Sequence, residues 1–258
     1  MGGRGAGGLI GILFVLAILF FAGRGVLGGD GGGFGIDPPS NFPQAPAPNA
    51  GSAPDADAPL VQFVNDVLVD AQELWAKQFD AAGRTYENAD LVLFTSAVRS
   101  GCGVASSATG PFYCPLDKTV YLDLGFFREL DRRFGAPGDF AQAYVIAHEL
   151  GHHVQNLLGI NPAVRRAQQE NPGEANELSI RQELQADCLA GVWGHSTYER
   201  GFLDPGDVQE GLNAAAAVGD DRLGASPESW THGSAAQRRQ WFSTGFDTGD
   251  TGACDTFA

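Results

Sequence analysis

Positive charge is in short supply in this chain: 16 lysines and arginines stand against 31 aspartates and glutamates over 258 residues, a formal net charge of −15. That balance excludes a protein held on nucleic acid or on anionic headgroups, both of which need a basic face. It favours solubility and would suit cationic substrates. Cysteine is scarce too. Cys102, Cys114, Cys188 and Cys254 are the only four, and no two form a C-x-x-C pair, which argues against a cysteine-ligated metal. An even number suits two disulfides in an oxidising compartment. Cys102 and Cys114 bracket a Gly/Ser/Pro-containing loop and are the first candidates for a pair. Cys188 and Cys254 would then tie a helix to the C-terminus, which otherwise could fray. No internal repeat is apparent.

Histidine is also rare, with five in all: His148, His152, His153, His195 and His232. Two of them fall in His148-Glu149-Leu150-Gly151-His152. The run from Phe140 to Ala147 has no Gly or Pro and reads as a buried helix continuing through this pentapeptide. Asp139 is a candidate N-cap, and Gly159 and Pro162 mark the expected stop. On a helix, residues four apart project from one face, so His148 and His152 can reach one tetrahedral zinc ion. Glu149 then lies beside the open zinc position, where it can act as general base on a water. The bland alternative is a core helix with two satisfied histidines and a surface glutamate.

A catalytic zinc usually needs a third protein ligand. Residues 179–190 are again helical in pattern, with apolar Ile180, Leu184 and Cys188 and, continuing the spacing, Val192. Glu183 and Asp187 share a face by the same spacing. Glu183 can supply the carboxylate ligand, and Asp187 can accept the free ring N–H of a zinc-bound histidine. The alternative, an exposed acidic stripe, fits poorly with the apolar residues around the pair. Glu174 and Glu177, near Pro172-Gly173, are fallback ligands. His153 points about 100° around the helix from His152 and is read as structural.

The runs Ala147–Gln155 and Glu183–Trp193 resemble the bacterial family of neutral zinc metallopeptidases. So do Thr109–Pro115 followed by Val120–Asp123, and the late segment Thr231-His232-Gly233-Ser234-Ala235-Ala236-Gln237-Arg238. The resemblance runs from about Asp57 to the C-terminus. It implies a membrane-associated zinc peptidase of the glutamate-zincin kind, with one Zn2+ per chain, a peptide or protein substrate and no assigned target. It also makes His232 the leading candidate to stabilise the oxyanion, with Tyr198 and His195 as second choices. Peptide substrates of zincins pair with a sheet edge. Val120–Leu124 and Leu91–Phe94 read as strands; either could be that edge, both could equally be buried sheet, and the sequence does not decide.

Charge is absent altogether from Gly5 to Gly23, and residues 9–22 are almost wholly apolar, close to the roughly 20 residues a membrane span needs. An uncleaved signal anchor competes with a cleaved signal peptide, and the lack of an Ala-x-Ala site after Phe21 favours the anchor. Arg4 and Arg24 nearly balance, so the cysteines decide the orientation: the catalytic domain is expected outside the cytoplasm, on a single-pass membrane protein.

The expected organisation is therefore an anchor over 1–23, a flexible Gly/Pro/Ala-rich linker over 24–56, and a peptidase domain over 57–258. The fold class is α+β, a helix-dominated zincin-like domain with a small β-sheet. Helices are expected over 61–82, 126–134, 205–218 and 234–244, besides the two zinc helices. Endopeptidase action is preferred over exopeptidase action. The competing function is a catalytically silent, zinc-stabilised extracytoplasmic domain that binds an envelope partner.

Overall fold

The computed structural model describes residues 57–134 and 138–258. The expected anchor and linker lie outside the described residues. No helix among the described residues is long and apolar enough to cross a membrane.

The order is helix α1 (Ala58–Ala81), strands β1 (Asp90–Phe94), β2 (Ala97–Ser100), β3 (Gly103–Ser106), β4 (Phe112–Cys114) and β5 (Thr119–Asp123), then helices only. These are α2 (Leu124–Phe134), α3 (Asp139–Leu157), α4 (Ile160–Glu170), α5 (Ala175–Glu199), α6 (Asp207–Ala217) and α7 (Ala235–Thr248). The domain is helix-dominated α+β with small sheets. Its core gathers Val64, Leu68 and Ala71 of α1 against Ile146 and Leu150 of α3, Val120 and Leu122 of β5, and Phe242 of α7.

The three-stranded sheet runs β1-β5-β4, with β1 parallel and β4 antiparallel to β5. A central strand is buried on both faces, and every residue of β5 is buried. Of the two strands left open as edge or buried sheet, the Val120 segment is the buried one, since β5 is paired on both sides, while Leu91–Phe94 lies in β1, an outer strand like β4. Leu124 opens α2 rather than ending the strand. The second sheet is the β2-β3 hairpin.

Of the two boundaries expected for α3, one differs and one is found. Asp139 is not an N-cap. Gly138 holds that position and Asp139 sits in the first turn, where its charge still complements the helix dipole. The stop expected at Gly159 and Pro162 is found: α3 ends at Leu157 with Leu158 as its C-cap. Gly159 takes φ +81°, turns the chain after α3, and α4 begins at once with Pro162 in its first turn. Proline is tolerated there because that N–H has no intrahelical acceptor to lose.

Helix α5 is buried along most of its length, between α3 and α7. It meets α7 at two glycines. A Cβ on Gly191 would lie 2.1 Å from the Phe242 carbonyl oxygen, and one on Gly245 would lie 1.9 Å from that of Cys188. Only hydrogen fits at either position, so the helix backbones touch directly. Cys188 bonds Cys254 nearby, closing a separation of 66 residues, and Cys102 bonds Cys114 across 12. The longer loop removes more freedom from the unfolded chain.

Candidate metal centre

Helices α3 and α5 bring the sequence-singled residues to one point. His148 and His152 stand one turn apart on α3 with ring centroids 4.8 Å apart. Glu183 faces them from α5. Its Oε2 is 3.2 Å from His148 Nε2, and its Oε1 is 3.3 Å from His152 Nε2. All three side chains are buried, and one ligand atom from each lies within 4.8 Å of the others.

Each imidazole is oriented from behind. His148 Nδ1 is 2.9 Å from Asp187 Oδ1, and His152 Nδ1 is 2.8 Å from Gln155 Oε1. Both partners are acceptors, so both Nδ1 atoms carry a hydrogen and both Nε2 atoms, the positions left to bind a metal, are turned towards Glu183. Gln155 is fully buried and is fixed in turn. Its Nε2 donates to the Gln182 carbonyl at 2.7 Å and to Gln185 Oε1 at 3.1 Å.

Asp187 is fully buried and is held by the guanidinium of Arg238 in a bidentate pair, Nε to Oδ2 at 2.7 Å and Nη2 to Oδ1 at 2.9 Å. Tyr144 donates its hydroxyl to the same carboxylate at 2.5 Å. A buried charge pair this well bonded resists rearrangement.

Two features of the donor set fit zinc. A tetrahedral ion with ligands at about 2.0–2.1 Å has ligand–ligand edges of about 3.3 Å, the separation found between Glu183 and both imidazoles. Secondly, Glu149, Glu183 and Asp187 are three buried carboxylates facing one buried guanidinium. A dication would bring this cluster to neutrality.

The electrostatics follow from burial and from these neighbours. Burial alone would push His148 down, but the Asp187 and Glu183 carboxylates outweigh it and lift the imidazole to about 9. Burial would raise Glu183, yet the two histidines hold it well below the usual carboxylate range. Asp187 is likewise held low, the Arg238 and His148 charges overcoming burial. Glu149 goes the other way: burial raises it, and the histidines only partly offset this. Metal binding to the free protein must therefore displace a proton from His148. Below pH 9 each unit of acidity should cost about a factor of ten in apparent zinc affinity for that one proton. Chelator competition at pH 6, 7 and 8 measures the slope, and a flat profile would refute it.

His232, in the turn before α7, is also brought to this centre. It is buried, and Asp220 organises it. The Asp220 carboxylate accepts the backbone N–H groups of Thr231, His232 and Gly233 at 2.8, 2.7 and 3.0 Å. It also holds His232 Nδ1 at 3.1 Å. Burial lowers the imidazole and the Asp220 bond more than reverses this, so the ring is shifted towards its protonated form, with Glu183 adding in the same direction.

The other candidates are not brought in. His195 bonds the Phe246 carbonyl and Tyr198 lies against the Phe246 ring. His195 is twelve residues beyond Glu183 along α5, about 18 Å away at 1.5 Å per residue. Glu177 pairs with Arg181 at 3.1 Å, and Glu174 is exposed. His153 is structural: its Nε2 donates to the Glu87 carbonyl at 2.6 Å, and its Nδ1 accepts from Tyr113 at 2.9 Å.

The sequence reading gave no role to Gln155, Tyr144, Asp220 or Arg238. Gln155 lies three residues after His152, so the i, i+3 spacing could have pointed to it. Arg238 stands in the late family-like segment, but its partner is 51 positions away and nothing local marks the pair.

Comparison with known proteins agrees with this geometry. A family model described as "Putative neutral zinc metallopeptidase" matches residues 1–257. The uncharacterized protein YpfJ of Escherichia coli (strain K12) is 52% identical over 203 residues, 76% of this chain and 71% of that protein. An uncharacterized protein of Mycobacterium bovis is 51% identical over 190 residues, 67% of this chain and 64% of its own length. No solved structure gives a significant match. The chain belongs to the neutral zinc metallopeptidase family.

Proposed function

We propose that this member of the zinc metallopeptidase family hydrolyses peptide bonds, with His148, His152 and Glu183 holding one zinc ion and Glu149 as general base. The observation that carries the reading is the meeting of both Nε2 atoms with one carboxylate at tetrahedral-edge distances, with Glu149 next to His148 in sequence. When bound, zinc supplies a Lewis acid that acidifies a water and offsets charge developing on the attacked carbonyl oxygen.

The chain's own residues supply the rest. The Glu149 carboxyl makes no hydrogen bond among the described residues and is raised by burial. A carboxylate so placed can take a proton from the attacking water and keep it until the leaving amine needs one. Asp187 and Gln155 keep both imidazoles in the tautomer that offers Nε2. Arg238 holds Asp187 in place. His232, held by Asp220 and shifted towards its protonated form, would donate to the carbonyl oxygen as negative charge builds there.

Residues 1–23 would tether the domain to the cell membrane through the 24–56 linker. The two disulfides favour an extracytoplasmic catalytic domain on that single-pass anchor. Internal bonds of a peptide or protein are the expected target, hence an endopeptidase. The test is zinc content and casein hydrolysis on the full chain. About one zinc per chain with hydrolysis supports the reading. Stoichiometric zinc without hydrolysis of casein or of a broad peptide mixture would favour the silent zinc-stabilised domain instead.

A further inference from the structure

A pocket of about 310 Å³ opens at the C-terminal end of α3, between that helix, the first turns of α4 and the turn after β4. Its position ties it to the metal centre. Asn156 lines it and lies four residues after His152 and seven after Glu149, on the face of α3 that carries both. Asn161, also lining it, donates from Nδ2 to the His152 carbonyl at 3.1 Å. The Asn161 Oδ1 accepts from Gln182, the residue before Glu183, at 2.9 Å. At 1.5 Å per residue, Asn156 stands about 10 Å along the helix from Glu149. An extended peptide covers that distance in about three residues.

The lining is cationic. Arg165 and Arg166 both face the pocket, and no Asp or Glu lines it. Both are exposed, and neither has an ion-pair or hydrogen-bond partner among the described residues. In a chain of net charge −15, two neighbouring guanidiniums without a carboxylate partner make a local exception to the overall field. Guanidinium groups match carboxylates in shape and charge. Leu116, 69% exposed at the rim, adds an apolar contact.

We infer that this pocket is a substrate subsite that selects a carboxylate about three residues from the bond being cleaved. The inference rests on the peptidase reading and reverses the expectation, drawn from net charge alone, that the substrates are cationic. The carboxylate is either an Asp or Glu side chain or the free C-terminus of the substrate, and both present the same group to the two arginines.

The experiment is cleavage-site profiling of a peptide library by the zinc-loaded full chain, beside Arg165→Ala/Arg166→Ala and Arg165→Glu/Arg166→Glu. Glu149→Gln serves as the blank. Substitutions at these exposed positions leave the core untouched. The wild type should cut with Asp or Glu enriched at one fixed position two to four residues from the scissile bond. For a matched peptide pair carrying Glu or Gln there, the kcat/KM ratio should fall about tenfold in the double alanine variant and drop below one in the charge-reversed one, which should instead favour a matched Lys peptide. It should also shrink with added salt. If C-terminal amidation abolishes the preference while internal Glu does not matter, the terminal carboxylate is the ligand. Glu149-dependent cleavage with no acidic preference, or a preference unchanged in the variants, overturns the subsite and leaves the peptidase reading standing. No cleavage above the Glu149→Gln blank overturns both.

Discussion

Glu149→Gln should leave zinc bound at one per chain and lower peptide hydrolysis by about a thousandfold. General base catalysis contributes roughly 10²–10⁴ in rate, and a glutamine of the same shape cannot accept the proton. The substitution is nearly isosteric and removes a buried, raised carboxyl rather than a metal ligand. The fold and the zinc should therefore survive it. Metal analysis beside kcat/KM on one peptide makes the measurement. This outcome separates two functions that the three ligands alone leave open. A zinc ion serving only to brace the domain has no use for a base beside it and is normally closed by four protein ligands. Here the described residues converge as three. A Glu149→Gln protein with wild-type turnover would remove Glu149 from the chemistry, and a loss of zinc together with activity would make it a support for the site instead.

What could be read in advance followed from spacing. Pairs four apart on a helix need no tertiary knowledge, so His148 with His152, and Glu183 with Asp187, were visible as faces. The bend at Gly159 was visible as well, but its consequence was not. Glycine followed by proline marks the end of one helix and equally the first turn of another, and only packing of Val164 and Gln168 in the structure decides for α4. Sheet order was illegible for a similar reason. Val120-Tyr121-Leu122 reads as a strand whether central or at an edge, because its hydrogen-bond partners lie elsewhere in the chain. The supports of the metal centre were the hardest to see. Gln155 orients His152 with an amide oxygen where Asp187 orients His148 with a carboxylate, and Asp220 reaches His232 across twelve residues.

Arg238→Met should be the most destabilising single substitution at the site. The Arg238 side chain is 1% exposed and that of Asp187 is fully buried, so removing the guanidinium leaves a carboxylate without its main counter-charge in the interior. Breaking a buried pair in this way costs about 3–5 kcal/mol, far above the usual surface substitution. Urea unfolding of the metal-free protein should show it as a lower midpoint with little change in slope. The informative partner is the double variant Asp187→Leu/Arg238→Met. With both charges gone and the volume roughly kept, much of the stability should return, because a buried ion pair is often no better than apolar packing of the same size. Zinc affinity should not return with it. His148 would have lost the acceptor at its Nδ1, and losing such a partner typically costs about 10–100-fold in metal affinity. If the double variant recovered stability and zinc affinity together, Asp187 and Arg238 would be packing residues. If stability alone recovered, the pair exists to aim His148 at the metal, and the fold carries a buried charge pair for the sake of its site.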